Sequence, residues 1–207
     1  MSATVITYHR AMGRWEPNAR GRLAQAAMAL YAEQGFEQTT VAEIAARAGL
    51  TERTFFRHFA DKREVLFYGL DMARDLLVRA VADAPASATP MDAVGGALQV
   101  LGAVLQENPE RVRLRDAIVS AHAELREREL IKLAAFASAV AAALRDRGVP
   151  EPAASLAAET GIGVFKVAFA RWISDPGQPD LPGIVRDSMA ELAGVLTDRL
   201  AGSPSPS

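Results

Sequence analysis

Apolar residues recur every three or four positions along most of the chain, which is the spacing of an amphipathic helix. The first such stretch runs from about Asn18 to Gln34, and the Gly35 that follows is a common helix stop. Its apolar positions are Leu23, Ala27, Leu30 and Tyr31. The pattern predicts a first helix that buries one face in a core.

Two short helices are predicted next. Thr40 and Glu43 have the spacing of a capping box, so a helix should begin here and end at Gly49. Thr51 is a good N-cap for a second helix that runs from Glu52 to about Phe59. Two short helices joined by about three residues around a glycine are typical of a helix-turn-helix, whose second helix lies in the DNA major groove.

The rest of the chain is also predicted to be helical. Asp61 and Glu64 form a second capping box, which predicts a long helix reaching roughly Ala82. After a linker at 84–90, the apolar pattern gives five more helices, at about 91–106, 109–119, 121–147, 152–173 and 181–200. No alternating pattern of strand type accompanies them. We therefore expect an all-α fold of about nine helices, with an N-terminal three-helix domain joined by a long helix to a second helical domain.

Composition is consistent with a folded protein. Half of the 207 residues are hydrophobic, 23% are charged, and there is no cysteine. The N-terminus has no apolar core of signal-peptide length. The longest apolar run, from Ile131 to Leu144, carries Lys132 and is too short to span a bilayer. These features favour a cytoplasmic protein with no membrane partner.

The distribution of charge is more informative than its sum. The net charge is −2, yet up to residue 68 there are nine Lys/Arg against seven Asp/Glu, and beyond it 14 against 18. Four arginines precede or open the first helix: Arg10, Arg14, Arg20 and Arg22. A basic end on an acidic body is expected when one end meets phosphate.

The segment TTVAEIAARAGLTERTFFRHFADKREVL, residues 39–66, carries a family resemblance. Together with the preceding EQGFEQTT, it resembles the TetR family of transcriptional regulators over about residues 20–68. The resemblance implies double-stranded DNA, a second copy of the chain and a small-molecule effector as partners. It also implies a helix-turn-helix domain at 16–66 and an effector-binding and dimerisation domain at 67–200. The residues themselves predict a flexible basic arm at 1–15 and a disordered tail at 201–207.

Candidate DNA contacts follow from side-chain chemistry. Arg53, Thr54 and Arg57 should lie on the exposed face of the second short helix, and the two arginines suit bidentate contact with guanine. A phosphate contact or a solvated face is the alternative for both. Thr40 and Thr51 begin helices, where they either meet phosphate or simply cap the helix.

Further contacts are implied by the resemblance. Lys62 matches a phosphate contact of the family, and His58 matches an aromatic or His position that reaches the DNA backbone or only packs. Phe56 stands where the family usually has Tyr, so an apolar contact replaces a hydroxyl bond to phosphate. The arm with Arg10 and Arg14 either enters a minor groove or is a disordered tail.

The second domain resembles the family only in its layout, which implies an effector cavity and a dimer interface made of the last two helices. Candidate cavity residues are Leu101, Leu105, Leu114, Ile118, Phe136, Phe165, Phe169 and Trp172. Candidate interface residues are Leu156, Ala157, Gly161, Gly163, Val164, Val167, Ala168, Ile184, Met189, Leu192, Ala193, Val195 and Leu196. The alternative for both sets is burial in the core of one subunit.

Residues NPERVRLRDAIVSAHAELRERELIK and AFARWI resemble an actinobacterial branch of the family with acyl-CoA-like effectors. That resemblance implies a long apolar ligand with an anionic head. Arg113, Arg115 and Arg126 are candidates to meet the head, unless they face water opposite the neighbouring glutamates.

The sequence contains no pattern typical of an enzyme. His9, His58 and His122 lack metal-site spacing, His122 with Glu124 and Glu127 is expected on a solvated helix face, and Gly161-Ile-Gly163 lacks a third glycine. We therefore expect no metal, no cofactor and no catalytic residues. The predicted function is a homodimeric repressor that a small apolar ligand releases from a palindromic operator. An activator, or a ligand-binding module with vestigial DNA binding, is the alternative.

Overall fold

The computed structural model describes residues 19–175, 177 and 180–201, without the side chains of 198–201. Nine α-helices make up this part of the chain: α1 Ala19–Gln34, α2 Val41–Arg47, α3 Glu52–His58, α4 Leu70–Ala82, α5 Pro90–Leu105, α6 Pro109–Ala121, α7 Ala123–Asp146, α8 Ala153–Ser174 and α9 Leu181–Ala201. No strand occurs among the described residues. The predicted all-α class is confirmed.

Two predictions fall partly or wholly outside the described residues. The basic arm at 1–15, with Arg10 and Arg14, is one of them. The other is the tail at 201–207, of which only Ala201 is described, as the last residue of α9.

Local sequence signals place the helix-turn-helix as expected. Thr40 and Glu43 form the capping box of α2, and the Thr51 hydroxyl caps α3 by accepting a hydrogen bond from the Thr54 amide. The turn between the helices contains Gly49 at a φ of +64°, a conformation that a side chain would strain.

The long helix predicted from Asp61 to Ala82 is wrong in its first part. The Asp61 side chain does accept from the Glu64 amide, but only a 3-10 turn, Glu64–Phe67, follows. Gly69 then has a φ of +95°, which interrupts helical geometry, and α4 begins at Leu70. The residues around Gly69 keep an apolar helical spacing, so the pattern gives no sign of this break.

The described chain forms two compact units. Unit 1 contains the residues up to Met72 together with Asn108–Lys132, and unit 2 contains Ala73–Glu107 and the residues from Leu133 onward. The division is discontinuous in sequence, so it does not coincide with the boundary expected at residue 66. Its reason is visible in the core of unit 1, where Ile118, Val119 and Leu125 are buried with the helix-turn-helix.

Unit 1 is built around α1. The helix buries Leu23, Ala27 and Tyr31, against which α2, α3, the 3-10 turn and α6 pack. Ile44 of α2 and Phe55 of α3 are fully buried in the same core. Burial of these side chains from both short helices fixes their positions relative to α1.

Unit 2 consists mainly of α5, α8 and α9, which pack on one another, with Trp172 of α8 fully buried. Small residues allow close packing here: Gly161 faces Val94, and Gly102 lies against Leu181. The linker predicted at 84–90 is ordered by Arg147, whose guanidinium donates to the carbonyls of residues 82, 84 and 85 over 2.7–3.1 Å.

One helix, α8, is long and apolar enough to cross a bilayer by length and composition alone. It does not overlap the apolar run at 131–144, which the sequence showed to be too short. Of the apolar window of α8, 44% is buried inside the protein, and a single helix of this kind is weak evidence for a membrane span.

Candidate nucleic-acid interface

Two phenylalanines attach the recognition helix α3 to the core of unit 1. Phe55 lies in the helix and Phe59 immediately follows it, both are almost fully buried, and their ring centroids are 5.5 Å apart. Arg20 of α1 lies over the Phe59 ring, 5.4 Å from its centroid. These contacts fix which side of α3 faces solvent.

The solvent-facing side of α3 carries the predicted arginines. Successive residues of a helix are about 100° apart, so Arg53 and Arg57 lie opposite Phe55 and one turn from each other. Both are exposed, and among the described residues no carboxylate pairs with either. Thr54 is half-buried at one border of this face, and Phe56 is 55% exposed at the other. The anchored helix therefore exposes two guanidinium groups that are not paired with any carboxylate in the described part of the chain.

The threonines at the helix starts are engaged in caps. The Thr40 hydroxyl donates to the Glu43 carboxylate over 2.8 Å and accepts from the Glu43 amide. The hydrogen bond from the Thr40 backbone amide is the main cause that lowers the pKa of Glu43. The Thr51 hydroxyl lies 3.2 Å from the Thr54 amide nitrogen. Capping accounts for both threonines, and their phosphate contacts stay predictions.

Lys62 has partners that the sequence did not suggest. Its ammonium donates to the carbonyls of Phe36, Glu37 and Thr39 over 2.8–3.0 Å and lies 4.7 Å from the centroid of the Phe36 ring. Its own carbonyl accepts from the Tyr31 hydroxyl over 2.7 Å. All three ammonium protons are thereby used. In this arrangement Lys62 binds the segment before α2, and its ammonium has no proton left for a phosphate.

His58 lies at the end of α3 and is half-buried. Its Nε2 atom is buried and has no hydrogen-bond partner among the described residues. Of the two possibilities left by the sequence, this geometry favours packing over contact with the DNA backbone.

Three side chains from α6 and α7 contact the segment after the recognition helix. Arg63 Nε lies 2.7 Å from Glu124, Arg128 lies 3.2 Å from Glu64, and Arg115 donates to the Leu66 carbonyl over 3.2 Å. Arg115 also pairs with Glu129. We call Arg115, Arg128 and Glu124 the clasp. Because each of its three contacts with that segment joins residues 49–64 positions apart, no local sequence pattern indicates the clasp.

His122 lies at the corner between α6 and α7. The sequence led us to expect it on a solvated helix face, but both of its ring nitrogens have partners. Its Nδ1 lies 2.7 Å from the Ile118 carbonyl, and its Nε2 lies 2.7 Å from Glu37 in the segment before α2. The hydrogen bond to Ile118 is the largest cause that raises the pKa of His122 above 6.5, and Glu37 and Glu124 add to it. Both ring nitrogens face acceptors, so the imidazolium form satisfies both contacts.

The predicted effector residues separate into two groups. Unit 1 contains Leu114 and Ile118, and Ile118 is buried in the core around α1. Unit 2 contains Leu101, Leu105, Phe136, Phe165, Phe169 and Trp172. Along α8, the Phe169 ring lies 6.1 Å from Phe165 and 6.0 Å from Trp172. Ile118 is therefore accounted for as core. In unit 2, Leu101, Phe136, Phe165 and Trp172 are at most 8% exposed and are core residues too, whereas Leu105 and Phe169 are half-buried, so a ligand role for this group stays a prediction.

A groove of about 650 Å³ lies within unit 1, between α1 and α6. Leu114 lines it, together with Met28 and Arg111, but no other predicted effector residue does. Of the arginines considered for an anionic head, Arg115 belongs to the clasp, and Arg126 donates to the Ser120 carbonyl over 3.0 Å. Arg113 is half-buried. The groove and these arginines all belong to unit 1.

The residues predicted for the dimer interface fall into a buried group and an exposed group. One group is buried within unit 2: Ala157, Gly161, Val164, Ala168 and Ile184. For these, burial in one subunit is the correct reading. Another group is 57–64% exposed: Leu156, Val167, Val195 and Leu196. Gly163 and Ala193 are exposed beside them, whereas Met189 and Leu192 are half-buried.

Comparison with known proteins agrees with this architecture. Residues 23–68 match the model of the bacterial regulatory proteins of the tetR family. The chain is similar to the HTH-type transcriptional regulator TcmR of Streptomyces glaucescens, with 40% identity over 86 residues. The matched region is 41% of this chain and 38% of that relative, so it spans well under half of TcmR.

Solved structures share the fold over most of the chain. The fatty acid degradation regulator FadR from Bacillus halodurans has a TM-score of 0.64 at 18% identity, covering 85% of this chain and 95% of FadR. FadR from Thermus thermophilus, a TetR family transcriptional repressor in complex with lauroyl-CoA, has a TM-score of 0.57 at 23% identity, covering 84% and 93%.

A helix-turn-helix with an exposed arginine face, in a chain whose described elements are all helices, is the architecture of a DNA-binding transcriptional regulator. The matched segment then specifies which kind, because residues 23–68 carry the N-terminal DNA-binding domain of the TetR family type. Proteins of this family are regulators rather than enzymes, as the sequence led us to expect.

Proposed function

We propose that this chain is a cytoplasmic homodimeric repressor that binds a palindromic operator through α3 and leaves it when an apolar ligand binds unit 2. The carrying observation is the exposed face with Arg53 and Arg57 on a helix anchored by Phe55. Each guanidinium suits the O6 and N7 acceptors of guanine in the major groove. Two such helices in a dimer must lie about 34–36 Å apart to enter successive major grooves.

In vitro selection from random duplex DNA tests the operator claim. We expect enrichment of a two-fold symmetric sequence with guanine at one or more positions in each half-site. An unenriched pool contradicts DNA reading, and an enriched sequence without symmetry contradicts the dimer. The direction of regulation is tested by placing the selected site upstream of a reporter gene, where repression is expected and activation contradicts the proposal.

The proposed dimer forms through the exposed sides of α8 and α9. Leu156 and Val167 of α8, and Val195 and Leu196 of α9, are large apolar side chains left in solvent by a single chain. Exposed Gly163 permits close helix approach nearby. A two-fold axis would bring the same surface of each copy together, which buries all of these residues at once.

Sedimentation analysis of Val167→Glu tests this interface. A carboxylate at the centre of an apolar contact should shift the protein to monomer. Leu130→Glu is the matched control, because Leu130 is 56% exposed but lies on α7, outside the proposed interface. A dimer unaffected by Val167→Glu, or one disrupted equally by Leu130→Glu, contradicts the assignment.

The proposed effector is a long apolar molecule of acyl-CoA type. Support comes from the aromatic row Phe165, Phe169 and Trp172 in unit 2 and from the lauroyl-CoA in the similar T. thermophilus structure. Clasp residues on α6 and α7 contact the segment after the recognition helix, and α7 continues from unit 1 into unit 2. Ligand binding that shifts α7 would therefore change the position of α3 and lower the DNA-competent population.

Thermal-shift measurements with lauroyl-CoA test the effector class, with coenzyme A alone and laurate as controls for head and chain. We expect stabilisation by lauroyl-CoA, a smaller shift for Phe169→Ala, and release of the selected operator at the same ligand concentrations. Stabilisation without release would separate binding from regulation, and no stabilisation contradicts the ligand class.

A further inference from the structure

Phe56 is an exposed aromatic side chain on the recognition helix. More than half of it, 55%, is accessible to solvent, although the neighbouring Phe55 is fully buried. The two rings meet edge to face, with centroids 5.5 Å apart and planes at 83°. A buried ring thus supports one side of Phe56, which limits the directions in which its exposed side can turn.

The neighbours of Phe56 define the surface to which it belongs. Arg53 lies one helical turn before it, and Arg57 follows it directly, so the ring borders the face with the two exposed guanidinium groups. These arginines can donate hydrogen bonds to base edges, whereas a phenyl ring has neither a donor nor an acceptor to offer. Whatever Phe56 contacts in a major groove must therefore be apolar.

The major groove presents one prominent apolar group, the C5-methyl of thymine. We propose that Phe56 is a specificity-determining residue that selects thymine in each half-site by packing against this methyl group, beside the base read by Arg53. The inference rests on the proposed operator binding and adds a base preference to it. The ring is exposed to water in the free protein. Contact with the methyl group removes both apolar surfaces from water, which stabilises the complex.

Replacing thymine by deoxyuridine removes only the methyl group and leaves every base-pair hydrogen bond intact. The selected operator is synthesised with this change at each thymine in turn, symmetrically in both half-sites. For the wild-type protein we expect one position at which affinity falls roughly fourfold per methyl group, the factor that corresponds to burial of one such group. Elsewhere the change should have little effect.

Phe56→Ala supplies the decisive comparison. This variant should bind the thymine and deoxyuridine operators equally, with an affinity near that of wild type on the deoxyuridine operator. Phe56→Leu, which keeps an apolar side chain, should retain part of the discrimination. Because Phe56 is exposed, the melting temperature of both variants should stay close to that of wild type.

Several outcomes would overturn the inference. They are a wild type insensitive to every deoxyuridine, a Phe56→Ala variant that loses affinity but keeps the same preference for thymine, as a sugar or phosphate contact would produce, and selected half-sites that lack thymine. In each of these cases operator binding stands and only the role of Phe56 fails. A wild-type protein that selects no DNA sequence overturns the proposed function itself.

Discussion

Arg128 of α7 and Glu64 of the 3-10 turn form an ion pair, with 3.2 Å between Nη1 and Oε2. The Arg128 guanidinium also lies 5.8 Å from the centre of the Phe67 ring, and Arg115 lies 5.2 Å from the same ring. Planar guanidinium groups suit this combination of pairing and stacking, which an ammonium does not reproduce. The pair thus secures the segment that leaves the recognition helix.

Removal of the guanidinium should weaken unit 1. We expect Arg128→Ala to reduce the free energy of unfolding by about 1 kcal/mol, and Arg128→Lys to recover only part of it, because the pair is partly exposed but supported by the ring. Urea unfolding measures the change. Arg145→Ala, which breaks a pair with Glu151 that is exposed on both sides, is the control with a smaller effect. Equal losses for both variants contradict a special role for Arg128.

Lys62 provides a test between a structural and a DNA-binding role. Lys62→Met keeps the aliphatic stem but leaves the carbonyls of residues 36, 37 and 39 without their shared donor. We expect a loss of about 2–3 kcal/mol in the free energy of unfolding, in the range for hydrogen bonds to a charged group. Circular dichroism with heating measures it. A variant with unchanged stability and weaker operator binding would instead favour the phosphate contact.

His122 should make stability depend on pH. Its folded pKa is raised above 6.5, chiefly by the Ile118 carbonyl and further by Glu37, so the contact favours the protonated ring. The stabilisation is therefore complete below about pH 6.5 and is lost as pH rises through the higher folded value. We expect the stability difference between wild type and His122→Gln to shrink over this interval.

NMR titration of the His122 ring measures the pKa directly, and a value at or below 6.5 contradicts the assignment. Glu37→Gln removes one of the charges that favour protonation and should lower the value, leaving the contact with Ile118 in place. A difference between wild type and His122→Gln that does not change with pH would also count against it.

Close packing of α8 on α5 depends on Gly161. A β-carbon there would overlap Val94, a stiff side chain on a helix, so Gly161→Ala should cost about 1–3 kcal/mol of stability. Gly96→Ala on α5 meets nothing within 4 Å and should be neutral or stabilising by up to about 1 kcal/mol. Urea unfolding compares the two, and equal effects contradict the packing assigned to Gly161.

Short-range features were predictable from the sequence. The Thr40 to Glu43 capping box, the Thr51 cap and the positive φ of Gly49 each involve residues within a few positions of one another, so the pattern alone defines them. The exposed side of α3 follows from the same helical spacing once Phe55 is identified as buried. The break at Gly69 was missed, because an apolar repeat does not record a single positive φ.

Long-range features were not predictable. Nothing near Ile118 or Glu124 in the sequence indicates that they join the helix-turn-helix unit, since these partners meet only in the folded chain. Lys62 was assigned by its similarity to a family position, and its three carbonyl partners lie 23–26 residues away. On α8, apolar periodicity identified both Val164 and Val167 but could not separate the buried residue from the exposed one.

The central claim, that the face of α3 with Arg53 and Arg57 reads operator DNA, is tested most directly by fluorescence anisotropy on the selected operator at one fixed salt concentration. Loss of a bidentate contact with guanine should weaken binding by Arg57→Ala at least fivefold, and up to about a hundredfold. Arg145→Ala removes the same charge from α7 and should bind like wild type. Arg57→Ala with wild-type affinity, or with a loss no larger than that of Arg145→Ala, would contradict the account.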